Sequence, residues 1–230
     1  MGDGELVDQP SDEFLRFGDV IRSGLSRSRD AVSANGKEHL ADLLVAHEAC
    51  LACVGSAYSR PDRAVPEAEI PQKLRRATIH AAAIQGVHPI EQCISFGCYA
   101  QAAALVRQEI EAVEGLRGIR QANQPDGATP RLKALRNLGR PYGQLTGLAH
   151  LSTHALLTHI VSASIGDIDH HFNPEFSRFL FGLHVYALAG IAMDIAELRP
   201  FSESEYFSPA EKWWLANVCG TLINEGFMVL

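Results

Sequence analysis

Arg107 and Glu111 stand four residues apart in the stretch Gly97–Glu111, and Tyr142 and His150 lie in a second patterned stretch downstream. The four side chains are the parts of an acid–base site. A guanidinium can hold negative charge, a carboxylate and an imidazole can move protons, and a phenol can donate one. The same four side chains can also tie two helices together. An exposed Arg–Glu pair at i, i+4 stabilises a helix by only about 0.2–0.5 kcal/mol, and structural ion pairs occupy the same shoulder positions. Packing asks less of these residues; catalysis keeps all four as candidates.

A second chemistry is metal binding. His150 and His154 form an i, i+4 pair on one shoulder of a helix expected from Arg140 to about Ser164, and His159 points away from them. Two imidazoles one turn apart are half of a zinc-type site, which still needs a Glu, Asp or His from another helix. His47, His80, Glu109 and Asp194 are the available donors. No cofactor is expected, a divalent metal at this pair being the one exception the residue types allow. Asp167-Ile168-Asp169-His170-His171 is the densest polar cluster, in a loop where solvation and helix capping are its simpler roles. Arg131, Lys133, Arg136 and Arg140 make a local basic stripe that suits either solvent or a phosphate. Phosphate-cradling glycine loops, nucleophile elbows and His-Glu-x-x-His motifs are absent from the sequence.

These residues need helices to position them. Around a 100° helical wheel, Tyr99, Ala102, Ala103, Val106, Ile110 and Val113 share one side, widened by Leu105 and Leu116. Arg107 and Glu111 fall on one shoulder of that side and Glu109 on the other, where a carboxylate needs a partner or water. In the second stretch Tyr142, Leu145, Ala149, Leu156 and Ile160 form the buried side. Further helices are expected from Ser11 past Leu25, from Lys37 to Tyr58, from Lys73 to Gln85, from Thr129-Pro130 to Gly139, from Pro174 to Leu198, and from Ser208-Pro209 onward. Gly86-Val87-His88-Pro89 reads as a break, and Asn123 to Gly127 as a loop. No period-2 strand pattern occurs. The expected architecture is all-α: a multi-helix bundle of roughly seven to nine helices, with additional helices packed around it. Residues 1–230 read as one domain, with 1–10 frayed.

The pattern of Gly97-Cys98-Tyr99, Ala102-Ala103, Leu105, Arg107 and Glu111, followed by Tyr142, Leu145-Thr146 and His150, resembles one common in bacterial all-helical families of unknown function. The likeness covers roughly residues 70 to 160. It implies a cytoplasmic helical protein of unassigned activity. Some of those families look like distant relatives of HEPN proteins, which include toxin ribonucleases and abortive-infection proteins. Their motif of Arg, four to six residues, then His is matched in spacing by Arg178 to His184. It departs at Phe179, where the motif carries a polar residue. Under that resemblance Arg178 and His184 would converge across a dimer and cleave RNA.

The bulk properties constrain these alternatives. A formal net charge of -7 argues against nucleic-acid binding by bulk charge, so RNA enters only with the ribonuclease alternative. Five irregularly spaced cysteines do not make a disulfide framework, and Cys50-Leu51-Ala52-Cys53 sits in an apolar helical run that suits packing. A reducing, cytoplasmic setting follows. The apolar run Phe179–Met193 is short for a membrane span and is followed by Asp194, so a buried helix is expected and no membrane. Adjacent Trp213 and Trp214 cannot both be buried by one helix face, and the apolar end Gly226–Leu230 must pack on the body or on another subunit. The function expected is action through protein contacts, with a second copy as partner. Alternatives are the ribonuclease and a bundle with a histidine metal site.

Overall fold

The computed structural model describes residues 32–34, 36, 38–125, 127–128, 130, 139–152, 154–158 and 172–228, with positions 23, 26 and 30. Among the described residues the chain is helical with no strand. Its helices are α1 Ala41–Tyr58, α2 Ile70–Ser95, α3 Tyr99–Arg120, α4 Gly139–Ala149, α5 His154–Leu157, α6 Pro174–Leu198 and α7 Pro209–Asn224. A short 3-10 turn, Glu67–Glu69, precedes α2. The expected all-α bundle is the fold.

α6 organises it. Its sequence is apolar on every side, and a helix of that kind must be surrounded. α1, α2 and α3 pack against it; α7 lies on α1 and α4 on α3. By length and composition α6 could cross a membrane, yet 78% of its most apolar window is buried inside the bundle. Each Leu or Ile so buried contributes about 1.5–3 kcal/mol, which makes α6 the main source of core stability. Close approach along α6 depends on two glycines. A Cβ at Gly182 would lie 2.1 Å from the Phe227 ring, and one at Gly190 would lie 2.9 Å from Val113. The apolar tail residue Phe227 therefore packs on the body.

The ends of α6 and α7 are written in their first residues. Asn173 accepts a hydrogen bond from the Phe176 N–H at 3.0 Å, with Pro174 opening the helix. Tyr99, the first residue of α3, ties to the same end: its hydroxyl lies 2.8 Å from Ser177 Oγ and accepts from the Asn173 N–H at 2.9 Å. Ser208 and Glu211 form a reciprocal capping box on α7. Glu211 is also paired with Arg60 at 2.8 Å.

Three expectations are corrected. The helix expected from Lys37 is interrupted at Leu40 and restarts at Ala41. α2 runs through Pro89 instead of breaking at Gly86. Pro89 removes one backbone donor, but Ala83, Val87, Ile90 and Ile94 on both sides of it are buried, and packing outweighs the lost bond. The helix expected from Arg140 to Ser164 stops at Ala149. Leu151 takes a left-handed φ of 50°, its N–H bonds to Leu148 O and the Ser152 N–H to Gly147 O. This is the cap that glycine usually makes, and Gly97 and Gly226 end α2 and α7 the same way. A leucine there costs about 1–2 kcal/mol, so nothing in its side chain announces the stop. The helices expected over Ser11–Leu25 and Thr129–Gly139, the Asp167–His171 cluster, the stripe of Arg131, Lys133 and Arg136, and His159 lie outside the described residues, as do the side chains of Arg140 and His154.

Candidate functional site

Three groups of polar side chains stand out, and they differ in exposure and in how fully they are partnered. The first is the group anticipated from sequence. Arg107, Glu111, Tyr142 and His150 meet between α3 and α4, Tyr142 in the first turn of α4 and His150 just past its end. Arg107 Nε donates to Glu111 Oε1 at 2.9 Å and to the Tyr142 hydroxyl at 3.0 Å. The Tyr142 hydroxyl donates to the same Glu111 oxygen at 2.5 Å, and Arg107 Nη1 lies 3.2 Å from His150 Nε2. The guanidinium also sits 5.5 Å from the Tyr142 ring centre, within cation–π range. Its hydrogen bonds to Tyr142 and Glu111 hold the Arg107 proton more tightly than usual. Burial, then the bond to Glu111, raises the Tyr142 phenol further above neutrality. Neither shift produces an acid or base poised near pH 7. The group clamps α4 to α3 with its charges paired.

The histidine pair is not formed as expected. His150 is in the turn that ends α4, while His154 begins α5, so the two are not one helical turn apart on a single helix. The Arg178–His184 pair does not meet either. Arg178 is engaged by both oxygens of Glu225, at 2.6 and 2.5 Å, and by His39 O. His184 is 0% exposed in the core. Six residues along one helix also separate the two in direction.

The second group is buried and satisfied. Arg76 and His80 of α2 reach Asp194 of α6. Arg76 Nε and Nη2 bind the two carboxylate oxygens at 3.0 and 2.9 Å, and His80 Nε2 lies 2.7 Å from Oδ2. Arg76 also donates to Asp194 O, and Glu197 links Arg76 outward to Arg120. Burial alone would raise the Asp194 pKa. The hydrogen bonds from His80 and Arg76, with the Arg76 charge, outweigh it and hold the carboxyl below its usual range.

The third group is buried and not satisfied. His184 Nδ1 of α6 lies 2.6 Å from Glu109 Oε2 of α3. His47 of α1 stacks obliquely near it, ring centres 5.2 Å apart, with the Phe181 ring 5.3 Å from His47. His47 Nε2 is 3.1 Å from Glu91 Oε1 of α2 but too poorly aligned to hydrogen-bond. Among the described residues, four buried side-chain N or O atoms lack a hydrogen-bond partner, and His47 Nε2, His184 Nε2 and Glu109 Oε1 are three of them. Burial, then the neighbouring His184, lowers the His47 pKa to about 4. Burial raises that of Glu109, against the opposing pull of His184.

Sequence reasoning named His47, His80, Glu109 and Asp194 only as possible third ligands for His150 and His154, and missed that they pair among themselves and with His184. The available signal was a polar residue inside an apolar run: His184 within Phe179–Met193, and Glu109 on the shoulder opposite Arg107. The two cysteines of Cys50-x-x-Cys53 are buried. Desolvation pushes the Cys50 thiol up and raises Cys53 to about 11, so neither is a ready thiolate. Among the described residues no three His, Cys, Asp or Glu side chains already converge as a metal cluster. A cavity of about 410 Å3 between α2 and α3 has Glu109 and Glu111 in its wall, beside Ile79, Ala83, Leu105 and Ala112. Comparison of the chain with protein-family models, with characterised proteins and with solved structures finds no match.

Proposed function

We propose that the protein is a cytoplasmic helical protein that works by self-association, two copies meeting through the outer faces of α1 and α7. The observation that carries this is the Trp213–Trp214 pair. The rings stack edge to face with centres 4.7 Å apart, and they are 60% and 39% exposed. Tryptophan left in water forgoes a large apolar burial, and it is the residue most enriched at interface hot spots.

The rest of that surface supplies the matching shape. α1 and α7 run antiparallel, since Arg60 at the end of α1 meets Glu211 at the start of α7. Small residues stand among their outward positions: Ala52 and Gly55 on α1, Ala216 and the half-buried Gly220 on α7. A Cβ at Gly55 or Gly220 would touch nothing. The two helices thus offer both a tryptophan knob and small residues that leave room for one. A two-fold interface requires that self-complementarity, and it favours a second copy over an unrelated partner.

Sedimentation or light scattering across a micromolar concentration series tests the proposal. A dimer is expected, and replacing Trp213 with Ala should weaken it about thirtyfold or more, the effect of a hot-spot residue worth roughly 2 kcal/mol. A monomer at every concentration would sink it. The ribonuclease alternative has no comparable support, because it needs His184 at a surface and His184 is buried in the core.

A further inference from the structure

We propose that His47 and His184, completed by Glu91, form a binding site for a transition-metal ion of the zinc class within the α1–α2–α6 core, with Glu109 of α3 orienting His184. This goes beyond self-association and does not depend on it.

The unpartnered atoms point to it first. Buried polar atoms are nearly always satisfied, because leaving one bare forfeits its hydration with nothing in return. Three of the four bare atoms among the described residues fall in this one cluster, supplied by three different helices. Two of them are imidazole Nε2 atoms, the commonest metal donors among side chains.

The geometry is of the right size. Two imidazoles on one tetrahedral ion, bonded at about 2.1 Å, place their ring centres about 5 Å apart. The His47 and His184 centres are 5.2 Å apart. Two donors on one such ion lie about 3 Å from each other. His47 Nε2 and Glu91 Oε1 are 3.1 Å apart and misaligned for hydrogen bonding, a separation that suits a shared ion.

Glu109 has the supporting part. A metal-bound histidine generally donates its other ring N–H to a carboxylate, which sets the tautomer and turns the ring. His184 Nδ1 sits 2.6 Å from Glu109 Oε2, so a proton on Nδ1 leaves the lone pair on Nε2. The Asp194 group is the counterexample within the same protein: His80 Nε2 is itself occupied by the carboxylate, and Arg76 supplies the positive charge.

Access comes from Glu91. Its side chain is 32% exposed, and it borders a cavity of about 250 Å3 shared with His47, Glu48 and Phe181. Among the described residues three donors do not converge, so closing the site takes side-chain rotation on binding. Two nitrogens and one carboxylate favour zinc, cobalt and similar ions over calcium or magnesium, and leave one position for water.

The test uses the full chain without a His tag, titrated with Co(II) and Zn(II). One equivalent of Co(II) should bind with the intense visible bands of a tetrahedral site, and Zn(II) should displace it and raise the melting temperature. Glu91→Gln, at a partly exposed position that keeps the fold, should weaken binding at least tenfold. Glu109→Gln should weaken it about 10–100-fold, the usual effect of removing a carboxylate behind a ligand histidine. His39→Ala removes an exposed imidazole outside the cluster and should change nothing. Absence of a stoichiometric tetrahedral cobalt spectrum overturns the proposal. So does unchanged affinity in Glu91→Gln, which would put the ion elsewhere. His47→Gln, once circular dichroism shows it folded, should lose the tetrahedral cobalt bands, and keeping them would overturn the proposal.

Discussion

α6 carries two histidine–carboxylate pairs within three turns of each other, and they have opposite characters. At Asp194 the carboxylate receives two Arg76 nitrogens and His80, and the charges balance. At His184 the partner carboxylate Glu109 has one oxygen used and one bare, the histidine has one bare nitrogen, and a second histidine stands beside it with no aligned partner. Both are buried to a similar degree, so burial does not separate them. What separates them is whether each polar atom has a partner. A satisfied buried pair specifies how helices fit, whereas an unsatisfied one leaves polar atoms whose burial nothing offsets.

The largest effect should come from breaking the satisfied pair. Asp194→Asn leaves buried Arg76 with only the more distant Glu197 as counter-charge and should cost about 3–5 kcal/mol in a denaturant melt. A loss below about 1 kcal/mol would erase the contrast. Glu109→Gln should cost less, about 1–2 kcal/mol, because half of that carboxylate already lacks a partner and a neutral amide is easier to bury. Equal losses at the two sites would also break the comparison.

Acid should affect the two carboxylates in opposite directions. The folded pKa of Asp194 lies below its ordinary 3.8, so its contribution is present above that value and is lost as pH falls through the folded pKa. The folded pKa of Glu109 lies above its ordinary 4.5. In the window just above 4.5 the native state holds a proton that the unfolded state has released, so stability falls as pH rises there. His47, lowered from 6.5 to about 4, slopes the other way across an overlapping window. The Glu109 effect is therefore measured as the difference between wild type and Glu109→Gln across pH. A difference with no slope above 4.5 would contradict the assigned direction.

The smallest effect belongs to the group that looked most chemical in the sequence. Arg107→Ala removes a half-exposed ion pair that solvent screens, and should cost no more than about 1 kcal/mol. A loss as large as that of Asp194→Asn would mean that the α3–α4 clamp carries core stability.

The sequence showed this clamp because its parts are local. Arg107 and Glu111 are one turn apart, and Tyr142 and His150 lie on the next patterned stretch. Glu109 was legible as a carboxylate out of place, but its partner lies 75 residues on in an apolar run with no period to mark His184. The α4 stop was hidden for a different reason. Leu151 adopts a backbone conformation that its side chain disfavours, and the surrounding fold bears the cost. Pro89 is the converse, a breaker overruled by the buried residues around it.

By itself the sequence determined the helical class, the long buried α6 opened by Asn173-Pro174, the capping box of α7 and the exposure of a tryptophan pair too close together to share one buried face. These follow from periodicity, capping chemistry and side-chain volume, all local. Only the tertiary structure decided which buried polar atoms found partners. That outcome depends on helix rotation and on atoms far apart in the chain, set to within tenths of an ångström, and residue spacing carries no record of it.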